Sequence, residues 1–257
     1  MIKSSIGKLI KHPLNSLGYE VISKADKAKA DNSAAPMYPE RIALMKKNGF
    51  NPNVVFDCGA HKGIWSKTIH KLFPEARYFL FEPNPVLWER IEKNLSSVQM
   101  KYKLYKAAVG SKKGTAELNL WENIDPNGVG SSLCEHITGD PTKKVKTEVI
   151  SLDDIADENN IVPDFVKLDL EGFEVEALKG SSRILQKTEV FMIEFGCLEA
   201  FIGRATVQEI INIMYSNDYA LYDICNLSYR PYDNAMTGGD FIFAKNSSRL
   251  KSYKKWI

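Results

Sequence analysis

Apolar and polar positions along this chain fall into two alternating textures. Short apolar runs recur between longer stretches whose apolar residues lie three and four apart. The first texture reads as strand and the second as amphipathic helix. A helix is expected within ERIALMKKNGF, residues 40–50, with Ile42, Leu44 and Met45 inward and Gly49 at its C-terminal cap. A strand follows at Val54–Cys58, then a helix over Gly63–Phe73 that stops before Pro74. The same order returns as strand Tyr78–Glu82, helix Pro85–Leu95 and strand Tyr102–Val109. Strands Thr115–Trp121 and Val145–Ser151 flank a polar insert, and Ser151 caps a helix reaching Asn159. Strands Phe165–Leu170 and Val190–Phe195 alternate with helices Val175–Leu185 and Val207–Asn217. Ala220–Cys225 and Asp240–Ala244 are the last strands.

Runs such as VVF, YFLF and VFMI are apolar at every position rather than at every second one. Such strands are buried on both faces, with helices on each side. Strand–helix alternation then implies an α/β, Rossmann-like, mostly parallel doubly wound sheet with right-handed crossovers. Three parts are expected: a helical and linker segment over 1–38, a main domain over 39–246 with a hairpin insert near 121–145, and a basic tail over 247–257.

Composition narrows the picture. A chain of 257 residues with 44% hydrophobic content can build one such domain. Lys and Arg number 34 against 32 Asp and Glu, a net charge of +2 that supplies no field for nucleic acid. Cys58, Cys134, Cys197 and Cys225 show no CxxC spacing and read as small core residues of a reducing, cytoplasmic compartment. No apolar run reaches the roughly 18 residues that cross a bilayer. Near the start, Ile6, Leu9, Ile10, Leu14 and Leu17 recur at helical spacing with Lys3, Lys8 and Lys11 between them. That suits packing on the domain or weak peripheral membrane contact, with Pro13 interrupting either. Oligomeric state stays open.

The turn after the first strand carries candidate chemistry. In VVFDCGAHKGIWS, Asp57 ends the strand and Gly59, Ala60 and Gly63 line the passage into the helix. A phosphate reader needs GxGxxG there. GAHKG lacks the second glycine, and a carboxylate repels pyrophosphate but attracts ammonium. The turn therefore suits a ligand with an amino acid moiety, such as S-adenosylmethionine. Glu82, at the end of the next strand, is placed to accept two ribose hydroxyls.

These blocks resemble the FkbM-type methyltransferases. VVFDCGAHKGIWS is similar to the family's cofactor loop, FLFEPNP to its ribose-binding strand end, and AAVGSKKGTAELNL to its third strand and hairpin. VKLDLEGFEVEALKGSSRIL followed by VFMIEF resembles its most distinctive signature. The resemblance implies a class I methyltransferase fold with an antiparallel last strand. It implies cofactor contacts from Asp57, Gly59, Ala60, His61, Gly63 and Ser66, and from Glu82, Pro83, Ala108 and Asp169. His61 departs from the family, which usually has Asn there. The implied activity is S-adenosylmethionine-dependent O-methylation, with a sugar hydroxyl of a glycan or its precursor as acceptor. A small natural product, a nitrogen acceptor and a non-catalytic cofactor-binding scaffold are the alternatives. The absence of an NPPY-like stretch disfavours nucleic acid methylation.

Asp169, Glu171 and Glu194 lie at strand ends on the expected catalytic edge. Three roles compete for them. One carboxylate, Asp169 first, is the general base. Alternatively Asp169 and Glu194 hold Mg²⁺ or a similar divalent cation. In the third reading the acids, Glu174 among them, pair with Lys167 and cap the next helix. His61 and His136 are further candidates for the base. In the insert, Asn127, Gly128, Ser131 and Ser132 offer hydrogen bonds to a hydroxyl-rich acceptor.

Overall fold

The computed structural model describes residues 36–120, 131–137, 143–198 and 201–252. The expected features of residues 1–35, Asn127, Gly128 and the last five residues of the basic tail, 253–257, lie outside that set.

A seven-stranded sheet forms the centre. Its strands in chain order are β1 (Val54–Cys58), β2 (Arg77–Phe81), β3 (Lys101–Tyr105), β8 (Phe165–Leu168), β9 (Val190–Gly196), β11 (Tyr219–Tyr229) and β12 (Met236–Lys245). Their spatial order is β11-β12-β9-β8-β1-β2-β3. β1 pairs in parallel with β2 and β8, β2 with β3, and β8 with β9. β12 is antiparallel to both β9 and β11. The order reverses at β1, so the crevice for a ligand opens beyond the carboxyl ends of β1, β2 and β8.

Helices cover the sheet as its apolar runs require: α1 (Tyr38–Lys47), α2 (Ile64–Leu72), α3 (Pro85–Leu95), α4 (Leu152–Glu158), α5 (Glu174–Lys179) and α6 (Val207–Ser216). Ser151 caps α4 as its sequence predicts, accepting from Asp154 N, and Thr206 with Glu209 closes a capping box on α6. Pro85 opens α3, where Asn84 is the cap.

Two buried clusters lie on opposite faces. One holds Phe56, Cys58, Phe81, Leu168, Ile193, Phe195 and Phe241. The other holds Val55, Phe165, Met192, Cys225 and Ile242. On that second face the apolar rows end in charge. Asp57 pairs in register with Lys167, and Glu194 with Asp240. Because side chains alternate along a strand, all four reach the same side at the same edge.

Three expectations change. The predicted strand Tyr102–Val109 breaks at Lys106, so β3 stays in the main sheet while β4 (Ala107–Val109) joins a second sheet. There β4 runs parallel to β7 (Lys143–Ile150), and β5 (Gly114–Leu120) runs antiparallel to β7. The predicted helix Val175–Leu185 shortens to α5, with Gly180 at its C-cap and a 3₁₀ turn over Ile184–Gln186. The cysteines divide: Cys58 and Cys225 are buried, Cys134 is half-buried and Cys197 is exposed. Among the described residues no helix is long and apolar enough to cross a membrane.

Gly59 is where the two central strand ends meet. Its φ is 77°, and a Cβ there would stand 1.8 Å from the Asp169 carbonyl oxygen. A Gly59→Ala variant should therefore lose about 2–4 kcal/mol of stability, since it adds backbone strain to a backbone clash. Urea denaturation beside the wild type measures it.

Candidate active site

The charged edge is built around Lys167. Its side chain is buried, and Nζ donates to the Gly59 carbonyl at 3.0 Å and to Asp57 Oδ1 at 3.3 Å. It also meets Asp169 Oδ2 at 3.1 Å. Burial opposes its charge, but Asp169 and Asp57 outweigh burial and hold the ammonium above its ordinary pKa. Asp57 is 0% exposed, and its Oδ2 accepts from the Ser66 hydroxyl at 2.5 Å. Burial raises the Asp57 pKa, with Lys167 and Ser66 opposing.

The residues of the expected cofactor set differ in exposure. Asp57 has no exposed surface and contacts Lys167 and Ser66. Ser66 is buried behind it. Gly63, the N-cap of α2, faces Ile91 and Leu95 of α3 rather than the cleft. Asp169 takes the outward role: its side chain is 38% exposed.

The turn uses its amides internally. Gly59 N and Ala60 N both donate to the Phe81 carbonyl at 3.0 Å, and His61 N donates to Glu82 Oε2 at 2.7 Å. Those N–H groups would have to cradle a phosphate, and β2 has already taken them. His61 reaches Glu82 with φ at 51°. Left-handed backbone suits Asn better than most residues and admits His, which fits the family's usual Asn at this place.

Glu82 is buried and also accepts from Asn84 N at 2.8 Å. Each oxygen keeps a lone pair for a ligand. Burial pushes its pKa up to about 7, against the two backbone hydrogen bonds. It stands in a cleft with Pro83, Ala108, Leu118 and Phe173, closed by Ser131 and Ser132 of the insert. Ser132 Oγ donates to the Glu171 carbonyl at 2.8 Å, fastening insert to signature loop.

Glu174 organises that loop. It is fully buried, and its Oε1 accepts from Leu170 N at 2.9 Å and Gly172 N at 3.2 Å. Glu171 within the loop has φ at 53° and lines the cleft. Arg204, packed against Gly172 and Gly196, meets Glu194 Oε2 at 3.1 Å. Burial, then Asp169, Glu171 and Glu174, push Glu194 well above the usual carboxylate range, with Arg204 opposing. Asp169 and Glu194 thus each face their own cation. Among the described residues no group of three or more His, Cys, Asp or Glu is arranged to hold a metal, so the divalent-cation reading gains no support here.

Asp169 sits at the junction of three cavities. One is the Glu82 cleft. The second lies over the turn, with Gly59, Ala60, His61, Trp65 and Lys167. The third measures about 520 Å³ and is lined by His136, Glu194, Arg204, Asn226, Arg230 and Asp240, among others. His136, in the short strand β6 (Glu135–His136), pairs with Phe201 of β10 (Phe201–Ile202) at its rim. Asn226, Arg230 and Asp240 belong to the β11–β12 hairpin, which motif reading did not single out.

A buried, charge-ended α/β crevice with strand order β3-β2-β1-β8-β9-β12-β11 and one antiparallel strand, β12, defines the class I methyltransferase fold. The chain matches the Methyltransferase FkbM domain over residues 57–221, and it belongs to that family. It is an S-adenosylmethionine-dependent methyltransferase. It is 22% identical over 228 residues to the 2-O-methyltransferase NoeI of Sinorhizobium fredii, covering 82% of this chain and 90% of that protein. It is 24% identical over 154 residues to the hexuronic acid methyltransferase AglP of Haloferax volcanii. That match covers 60% of each, so this chain spans less than two thirds of AglP. The crystal structure of methyltransferase FkbM from Methylobacillus flagellatus aligns with a TM-score of 0.48 at 20% identity, over 74% of this chain and 43% of that one.

Replacing Lys167 by Met should leave Asp57 a buried, uncompensated charge and cost about 3–5 kcal/mol at pH 7. The deficit should shrink as pH falls, because a carboxyl whose pKa is raised by folding favours the folded state when protonated. Chemical denaturation at pH 7 and pH 5 tests both statements.

Proposed function

We propose that this protein transfers a methyl group from S-adenosylmethionine to a hydroxyl group of a sugar. The observation that carries the reading is the placement of Asp169 on the shared wall of the three cavities. The Glu82 cleft has the chemistry of a nucleoside site. Its apolar walls, Phe81, Leu87, Ala108 and Phe173, suit a purine, and its buried carboxylate suits vicinal hydroxyls. Over the turn, Asp169 is the exposed acid that meets the ammonium of the amino acid end. Gly59 and Ala60 let that end approach the backbone, and Pro83 and Ala108 border the nucleoside. The residues present therefore fit the cofactor, which when bound supplies an electrophilic methyl on a sulfonium.

The third cavity is large enough for a small ligand, within the typical range of about 300–1,000 Å³. Its lining is mostly charged or hydrogen-bonding: Glu194, Arg204, Asn226, Ser228, Arg230 and Thr237. Such a wall suits an acceptor with many hydroxyls. The relatives agree in kind, one named as a 2-O-methyltransferase and one as acting on a hexuronic acid. In this reading Glu194 and Arg204 orient the acceptor, and the 170–174 loop excludes water from the junction.

Calorimetry should show binding of S-adenosylhomocysteine and none of NAD⁺. Glu82→Ala should weaken the former by about 1.5–3 kcal/mol in a folded variant. Affinity should rise with pH through about 7, where Glu82 becomes a carboxylate able to accept both ribose hydroxyls. Unchanged affinity in Glu82→Ala would remove the ribose assignment. Methyl glycosides of hexoses, 6-deoxyhexoses and hexuronic acids, offered with methyl-labelled cofactor, test the acceptor class, and transfer to none of them refutes it.

A further inference from the structure

The methyl carbon and the acceptor oxygen must meet where the cavity over the turn joins the acceptor cavity. Three residues line both: Asp169, Asn226 and Asp240. Asp169 is engaged by the Lys167 ammonium at 3.1 Å. An amide such as Asn226 is not a proton acceptor of useful strength. We propose that Asp240 is the catalytic base that takes the proton of the acceptor hydroxyl, a role that rests on the sugar-hydroxyl reading above.

The surroundings of Asp240 fit that task. It is 8% exposed, on β12, opposite Glu194 of β9 and Cys225 of β11. Asn226 Nδ2 donates to its Oδ2 at 2.6 Å. The orientation of that amide is set from behind. Asn226 Oδ1 accepts from Tyr38 N at 2.9 Å, and Asn226 N donates to the Pro36 carbonyl at 3.1 Å. Asn226 has φ at 52°, a left-handed conformation open to Asn. The carboxylate is thereby held by one oxygen, and the other serves the substrate.

The groups facing it favour a base active at neutral pH. Burial raises its pKa, Asp169 adds to the rise, and Asn226 and Lys167 oppose; the outcome is a carboxyl pushed up to about 6. Glu194 across the strand pair is tied to Arg204. The Cys225 thiol is pushed up to about 12 by burial and stays neutral. Asp240 is therefore ionised at pH 7 yet more basic than an exposed aspartate.

In the step, the acceptor oxygen bonds to the methyl carbon as the carbon–sulfur bond breaks, its electron pair remaining on sulfur. The hydroxyl proton passes to Asp240 and leaves through the acceptor cavity before the next turnover. The positive charge of the sulfonium and the negative charge of Asp240 are both consumed, so the pocket ends the step neutral in these groups.

The test uses Asp240→Asn and Asp240→Glu beside the wild type, on the same methyl glycosides and at saturating cofactor. Asp240→Asn should lower kcat by about 10²–10⁴-fold while S-adenosylhomocysteine affinity stays at the wild-type value. Wild-type kcat should show an acid limb with midpoint near pH 6, and Asp240→Asn should abolish it. Asp240→Glu should restore part of the rate. A smaller loss of kcat in Asp240→Asn, a persisting acid limb, or an equal loss of cofactor affinity overturns the assignment. If the wild type binds S-adenosylhomocysteine but methylates no glycoside, the sugar reading itself fails, and that outcome is distinct from an active Asp240→Asn.

Discussion

One buried ammonium organises this site. Lys167 joins the ends of β1 and β8 by meeting Asp57, Asp169 and the Gly59 carbonyl together. Lys167 and Asp57, buried groups of opposite sign at the edge of an apolar sheet, are costly to desolvate, and only mutual contact offsets the cost. Any shift of β1 against β8 would separate them. The same contacts force the backbone of the glycine turn onto the Asp169 carbonyl, a distance that only glycine permits. The position of Asp169 at the meeting of three cavities follows from this clamp.

The sheet supplies the rest by alternation. On one face, strand residues remain apolar to the end and enter the Phe56–Phe241 cluster. On the other, apolar residues give way to Asp57, Lys167, Glu194 and Asp240 at the crevice. Charge is thus confined to one face and one edge, where a ligand can meet it. The polar groups are also graded by exposure. Asp57 and Glu174 are sealed and set backbone geometry, whereas Asp169 and Glu194 reach the cavities.

Much of this was legible in the residues. Continuous apolar runs announced a sheet covered on both faces, and the missing second glycine in GAHKG argued against a phosphate. The structure adds the reason, since the turn's amides are bonded to Phe81 and Glu82. Glu82 was read correctly as a strand-end carboxylate lining the crevice. Asp57 was read as facing the ligand, and the structure places it fully buried against Lys167 and Ser66. A sequence marks which residue ends a strand, but not which neighbour fills the space in front of it.

What the sequence determined by itself was local and periodic: element types, the two-sided core, the acids at the ends of parallel strands and the family. Only the tertiary structure decided partnership and access. Asp240 lies midway along its strand, where a search of carboxyl ends does not look. It arrives at the crevice because β12 runs antiparallel, which places its N-terminal half beside the C-terminal end of β9. Strand direction, register and the pairing of Lys167 across 110 residues to Asp57 are long-range facts. Periodicity reports which face a residue takes within its own strand, and nothing in it specifies which strand comes to lie alongside.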